Sequence, residues 1–144
     1  MLTAKQVQTD VIELLHGSLL EQEITGKIYR GTPDGSYRPR GSQKEDIIVI
    51  FTQGTPDQIE QGTVTLNIYC PDVPLGLDNQ TLAENGSRTQ MLEHYAAQWV
   101  DSLIDIPTPY KFTLQQTIWT ERDASINQHF VVIKLNYKYY NGNR

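Results

Sequence analysis

Three Pro-Asp dipeptides are the first candidates for a catalytic site in this sequence. They stand at positions 33–34, 56–57 and 71–72. A Pro-Asp pair followed by an acid-x-Lys triplet would suit a metal-dependent nuclease, because two carboxylates hold the divalent ion and a lysine lies beside the attacking water. No Asp or Glu here is followed two residues later by Lys. The three pairs are therefore predicted to be turn residues.

A cysteine nucleophile is the second chemistry to consider. Cys70 is the only cysteine, and His16, His94 and His129 are the available bases. Cys70 falls on the apolar face of a predicted strand, where burial raises the pKa of a thiol and leaves it unreactive. His94 follows Glu93 but belongs to no His-Glu-x-x-His motif, and His129 is predicted to be satisfied or half-exposed. A single cysteine also excludes a disulfide framework and a multi-cysteine metal site.

The stretch from Gly31 to Asp46, "GTPDGSYRPRGSQKED", is a long polar excursion between two predicted strands. Its glycines do not follow the order of a phosphate-binding loop, and no helix N-terminus comes after it. Positions 27–44 carry five basic residues and one acid, so this segment has a charge of +4 and the rest of the chain −9.

Contact with a macromolecule is the function that this basic stretch favours. Tyr and Arg are the residue types that anchor interfaces, since they combine buried area with directional hydrogen bonds. A solvated hairpin tip is the simpler alternative. The predicted interface residues are Arg30, Tyr37, Arg38, Arg40 and Lys44. A basic arm on an otherwise acidic chain could reach an acidic surface of another copy, which is a heterologous contact able to close into a ring.

Two segments with helical periodicity and five with strand character must position these residues. The first predicted helix ends at Gly17, and Pro107 and Pro109 mark the end of the second. Their capping boxes are Thr3 with Gln6 and Ser87 with Gln90. The predicted strands are Ile24–Arg30, Asp46–Phe51, Thr63–Cys70, 111–118 and 129–139, with a turn at 121–127.

Alternation along the third of these strands predicts one buried and one solvated face. Residues Thr63, Thr65, Asn67 and Tyr69 would lie on the wet side. The simplest packing is an α+β fold, in which an antiparallel sheet of about five strands carries two α-helices on one face. Residues 1–144 are predicted to form one domain, with a long hairpin arm at 31–46 and a second loop at 71–86.

The bulk composition restricts the class of protein. With 38 % hydrophobic residues, 144 residues suffice to bury one core. No apolar run approaches the roughly 18 to 20 residues that cross a bilayer, and the polar start of the chain is unlike an export signal, so we expect a soluble, cytoplasmic protein. The net charge of −5 disfavours a general nucleic-acid binder.

The order of helix, long-armed hairpin, strand, loop, helix and terminal hairpin resembles that of tail terminator and related neck proteins of long-tailed bacteriophages, which include head-tail joining and minor tail proteins. The stretch that carries the resemblance is Lys27 to Asp72, "KIYRGTPDGSYRPRGSQKEDIIVIFTQGTPDQIEQGTVTLNIYCPD". The resemblance implies a homo-oligomeric ring, commonly sixfold, that caps the tail tube and meets the head connector.

Further expectations follow from the same resemblance. The protein would be a virion structural protein made in the host cytoplasm, with no enzymatic activity, no cofactor and no metal. Its partners would be other copies of itself, the tail tube protein and the connector, and DNA would only pass through the lumen. A small enzyme or ligand-binding domain with a site under the 31–46 and 71–86 loops is the alternative, and a DNA-binding adaptor that uses the basic arm is a third hypothesis.

Overall fold

A mixed sheet with helices packed against it makes up this α+β protein. The computed structural model describes residues 1–32, 35–76 and 81–140. Within these ranges the helices are α1 Ala4–Leu15, α2 Leu19–Glu23 and α3 Gly86–Ser102, which runs into a 3₁₀ turn, Leu103–Asp105. The strands are β1 Ile28–Thr32, β2 Gly35–Ser36, β3 Ile47–Thr55, β4 Glu60–Pro71, β5 Val73–Pro74, β6 Leu82–Ala83, β7 Tyr110–Leu114, β8 Trp119–Asp123 and β9 Gln128–Tyr139.

Seven of the described strands form one sheet in the order β2-β1-β3-β4-β9-β7, and β8 also pairs with β9. The prediction of about five antiparallel strands was therefore only roughly right. β1 runs parallel to β3, with Ile28 opposite Ile47, while the other pairings are antiparallel. Alternation of side chains reports which face a residue takes but not the direction of its neighbour, so the parallel pair could not be read from the sequence.

The helix caps differ in detail from the predicted capping boxes. Thr3 accepts a hydrogen bond from the backbone N of Gln6 at 3.3 Å, as predicted, but the Gln6 side chain donates forward to Asp10 at 2.7 Å. In α3 the cap is Asn85, whose side chain accepts from the backbone N of Arg88 at 3.4 Å. The Ser87 capping box was wrong because Asn85 caps the helix two residues earlier and leaves Ser87 inside its first turn.

Strand boundaries show the largest departures from prediction. Ile24 ends α2, so the first strand begins only at Ile28. The predicted strand over 111–118 ends at Leu114 as β7, and a separate strand, β8, begins at Trp119; both pair with the long β9. The 121–127 turn is shorter than predicted, because β8 extends to Asp123.

The core lies between the helices and one face of the sheet. Apolar residues of the three helices pack against alternate residues of β3, β4 and β9, and the central ones are Val7, Val11, Leu92, Ala96, Val49, Leu66, Ile68, Ile133 and Leu135. This pattern follows from the period-2 alternation of the strands and the 3.6-residue period of the helices.

The opposite face of the sheet, here called the outer face, is less solvated than predicted. Thr63 and Thr65 are only 6 % and 8 % exposed. Thr65 lies between Ile50 and Lys134 of the adjacent strands, and Asn67, next on the same face, lies between Ile48 and Val132, which are both buried. The predicted wet face was therefore wrong for the centre of β4, since long side chains from both adjacent strands cover its threonines.

No α-helix within the described part of the chain has the length and apolar character needed to span a membrane.

Candidate interaction surface

Arg38 holds the second half of the predicted arm against the outer face. Its Nε donates to Asp46 Oδ2 at 2.8 Å, and a terminal nitrogen donates to Gln128 Oε1 at 2.9 Å. The guanidinium lies 4.4 Å from the centre of the Tyr69 ring. The Arg38 side chain is only 8 % exposed, so the residue anchors the loop of residues 37–44, hereafter the 37–44 loop.

Asp46 is the acceptor on which this network converges. Ser42 Oγ donates to Oδ2 at 2.6 Å, and the backbone N of Lys27 donates to Oδ1 at 2.9 Å. Burial alone would raise the pKa of Asp46, but the hydrogen bonds from Ser42, Arg38 and Lys27 outweigh it and lower the pKa below its ordinary value. Asp46 is therefore held ionised opposite Arg38.

Glu45, the preceding residue, fastens the same backbone to the helix layer. Its carboxylate accepts two hydrogen bonds from Arg88 of α3, at 2.6 and 2.8 Å. Thr25 contributes a reciprocal pair, because its N donates to Glu45 Oε1 and its Oγ1 accepts from the N of Glu45. Successive residues of an extended chain point to opposite faces, so Glu45 and Asp46 secure the loop end from both sides of the sheet.

The structure separates the five residues predicted to form an interface. Tyr37 is 64 % exposed, and Arg40 and Lys44 are exposed as well. Arg30 faces α1, where it donates to Thr9 Oγ1 at 2.7 Å, and Arg38 faces the sheet. Binding to a partner stays a prediction for the first three, whereas the guanidinium groups of Arg30 and Arg38 are engaged within the chain.

The two predicted loops are partly regular. β1 and β2 form a short hairpin in which Gly31 pairs with Ser36 and Thr32 with Gly35, and positions 33 and 34, including Asp34, lie outside the described residues. Within 71–86, β5 pairs with β6, and positions 77–80 lie outside the described residues.

Cys70 faces a histidine, but the contacts do not activate it. Cys70 and His129 are directly opposite each other on β4 and β9. His129 Nδ1 is 2.7 Å from Asp72 Oδ1, while the Cys70 thiol donates weakly to the Pro71 carbonyl at 3.8 Å. Burial raises the pKa of Cys70 to about 11, so the thiol stays protonated at neutral pH. The prediction of a buried, space-filling cysteine is confirmed.

A groove on the outer face was missed by the sequence reasoning. It has a volume of about 730 Å³ and lies where the far ends of β3, β4, β7 and β9 meet. Lys111 and Lys138 are cross-strand partners that line it, together with Asn136 and Tyr140. No acidic residue is among its described lining residues. The two lysines are 27 positions apart, so only the strand register brings them together. We call this site the lysine groove.

The helix layer has the opposite charge. The three α-helices and the 3₁₀ turn carry two basic residues, Lys5 and Arg88, against seven acidic ones, Asp10, Glu13, Glu21, Glu23, Glu93, Asp101 and Asp105. Arg88 is already paired with Glu45. The helix layer is therefore acidic, whereas the lysine groove on the outer face is basic.

Comparisons with known proteins add no family assignment. The chain matches no protein-family model and no curated protein sequence. Among the described residues, no group of three or more His, Cys, Asp or Glu side chains is placed to hold a metal ion.

Proposed function

We propose that this chain is a structural subunit of a tailed-bacteriophage or prophage virion, a tail terminator or neck ring component that joins the tail tube to the head connector. The observation that carries the proposal is the 37–44 loop, which presents Tyr37, Arg40 and Lys44 to solvent while Arg38 anchors its backbone. A loop that is ordered before it binds loses less conformational entropy on binding.

The chemistry of the exposed residues suits an acidic protein partner. Tyr37 supplies contact area, and Arg40 and Lys44 supply positive charge on a chain whose net charge is −5. In the proposed ring, the loop touches the tail tube or a neighbouring subunit. The layout of the helices and strands, which resembles that of tail terminator proteins, supports the same function.

Sedimentation with purified tail tubes tests this proposal. We expect the wild-type chain to co-sediment with tubes of the cognate phage and to form a closed ring of several subunits on native mass spectrometry. The variant Arg40→Glu with Lys44→Glu should lose tube binding at unchanged stability, because exposed charges contribute little to folding.

The matched control reverses two exposed basic residues outside the loop, Lys5→Glu and Arg122→Glu. It should bind tubes like the wild type. A wild-type chain that does not sediment with tubes would overturn the proposal. Equal loss of binding in both variants would show that the 37–44 loop is not the contact surface.

A ligand-binding domain is the second candidate, favoured by a cavity of about 430 Å³ between the 37–44 loop and the outer face. Arg38, Tyr69 and Gln128 line it. Its size is within the range of small-molecule sites. Thermal-shift measurements with nucleotides and divalent metals test this candidate, since a ligand that binds only the folded state raises the melting temperature. A shift that Arg38→Ala abolishes would support it.

A further inference from the structure

We infer that the acidic 3₁₀ end of the helix layer in one copy of this chain docks into the lysine groove of the next copy. The proposal rests on the proposed function in that a ring requires one contact repeated around it, and it names the surfaces that form this contact. The donor surface is residues 101–105, here called the Ile104 turn.

The Ile104 turn combines an exposed apolar side chain with two free charges. Ile104 is 87 % exposed, and Asp101 and Asp105 on either side of it are exposed too. Neither aspartate forms a side-chain hydrogen bond or ion pair with any described residue. Leu103, buried in the core, holds the turn in place, and the N of Ile106 donates to its carbonyl at 3.3 Å. The turn therefore presents Ile104 from a fixed backbone.

The lysine groove has complementary features. Lys111 and Lys138 lie directly opposite each other on adjacent strands, where like charges are destabilising. No described carboxylate forms an ion pair with either lysine. An occupant that brings two carboxylates would relieve this repulsion, and Tyr140, 45 % exposed at the same site, offers an apolar surface to Ile104.

The geometry requires two different copies. Asn136 and Lys138 of the groove alternate along β9 with the core residues Leu135 and Tyr137, so the groove lies on the outer face. The Ile104 turn continues α3 on the helix side. A turn on one side of the sheet cannot enter a groove on the other side of its own chain. When this contact runs in one direction from copy to copy it is heterologous, and its repetition generates a ring if the rotation closes.

Charge also favours a second copy over nucleic acid as the occupant. DNA phosphates would meet a chain with a net charge of −5 and an acidic helix layer. Another copy brings that same acidic layer to the groove, so attraction replaces repulsion.

A pair of charge-reversed chains provides the test. Variant A carries Lys111→Glu and Lys138→Glu, and variant B carries Asp101→Lys and Asp105→Lys. Each alone places like charges on the turn and in the groove, so we expect self-association to weaken at least roughly tenfold relative to the wild type. In an equimolar mixture, every turn meets a groove of opposite sign, and assembly should return.

Sedimentation velocity over a concentration series, with native mass spectrometry for stoichiometry, measures these outcomes. Lys5→Glu with Arg122→Glu is the charge-matched control and should assemble like the wild type. Ile104→Asp, a single exposed substitution, should also weaken assembly, and it keeps the test decisive if A or B fails to fold. Circular dichroism establishes folding for each chain.

Several results would overturn the contact. One is a wild-type chain that stays monomeric at about 1 mM, because such a contact would be too weak to matter. Another is a variant A that assembles normally. A third is a mixture of folded A and B that stays monomeric. Retardation of DNA by the wild type but not by A, without self-association, would assign the groove to phosphates instead. Tube binding separates the two proposals. If variant A assembles normally on tubes, the contact between the Ile104 turn and the lysine groove is rejected and the virion function stands. If the chain assembles through the groove but does not bind tubes, the virion function is rejected and the contact stands.

Discussion

Arg38 shows how one residue changes role between sequence and structure. Its neighbours in the sequence are turn-formers, which made it a candidate for the surface. In the fold its guanidinium is stacked on Tyr69 and bonded to Asp46 and Gln128. Sequence composition predicted a polar arm over residues 31–46, but the partners of Arg38 lie up to 90 positions away. Long-range pairs of this kind depend on the sheet register, which local patterns do not specify.

Replacing Arg38 should therefore destabilise the protein. Arg38→Ala leaves the Asp46 carboxylate buried without its cation, and loss of one partner of a buried ion pair costs about 3 kcal/mol. We expect the urea midpoint to fall accordingly. Arg40→Ala, two residues away and exposed, should stay within about 0.5 kcal/mol of the wild type. Equal midpoints for the two variants would contradict the assigned role of Arg38.

Asp46 makes the stability of the fold dependent on pH. Because its pKa is lowered on folding, the ionised carboxylate stabilises the folded state above its unfolded pKa of about 3.9. That contribution is lost as the pH falls through the lower, folded pKa. Urea titrations from roughly pH 6 down to pH 2 should show a steeper acid loss for the wild type than for Asp46→Asn. Parallel curves would exclude Asp46 as a source of this dependence.

Elements were predictable where the pattern is local. The Thr3 cap and helical periodicity located α1, and periodicity located α3. A short β-branched apolar run located β3, and alternation located β4 and β9. The five-residue α2 lacks enough length for a periodic signal, and β2, β5 and β6 have only two residues each. Their existence depends on pairing with distant or turn-related partners. The lysine groove was unpredictable for the same reason, since it requires the β7 to β9 register.

The bend between α2 and β1 depends on Gly26. Its N donates to the Glu45 carbonyl at 2.9 Å, and a Cβ at this position would overlap that oxygen and Asp46 Oδ1. Gly26→Ala should therefore cost about 1–3 kcal/mol, as overpacking does elsewhere. Gly86→Ala is the matched control, because a Cβ there meets nothing within 4 Å and the helix favours alanine. Thermal denaturation of the two variants gives the comparison, and an unchanged melting temperature for Gly26→Ala would contradict the predicted clash.

At the scale of the whole molecule, acidic residues predominate in the helix layer and lysines line the groove on the opposite face of the sheet. The sequence showed the basic segment at 27–44, and it predicted a net positive charge for that segment alone. The structure adds Lys111, Lys134 and Lys138 along β7 and β9, two of which line the groove. Net charge per segment cannot reveal a face that is assembled from strands distant in the sequence.

Cys70 provides a probe of global opening. It contacts the core between sheet and helices, and the pKa of about 11 leaves only a minute fraction of thiolate at pH 8. We expect a thiol reagent to label it at a rate set by the unfolding equilibrium, and Arg38→Ala should label faster by the factor by which its unfolding equilibrium constant rises. Rapid labelling of the native wild type would show that the site opens locally. Labelling in urea supplies the fully exposed reference rate.

The dipeptide Glu45–Asp46 links two ion pairs across a single peptide unit, Arg88 on one side and Arg38 on the other. We expect a displacement of α3 that moves Glu45 to move Asp46 as well, so the energies of the two ion pairs should not be independent. A double-mutant cycle of Arg38→Ala and Arg88→Ala should show a coupling free energy of about 0.5–3 kcal/mol, and strict additivity would disprove it. A movement of α3 would then alter the population of conformations of the 37–44 loop on the opposite side of the sheet. The coupling would pass through the single peptide unit that joins Glu45 to Asp46.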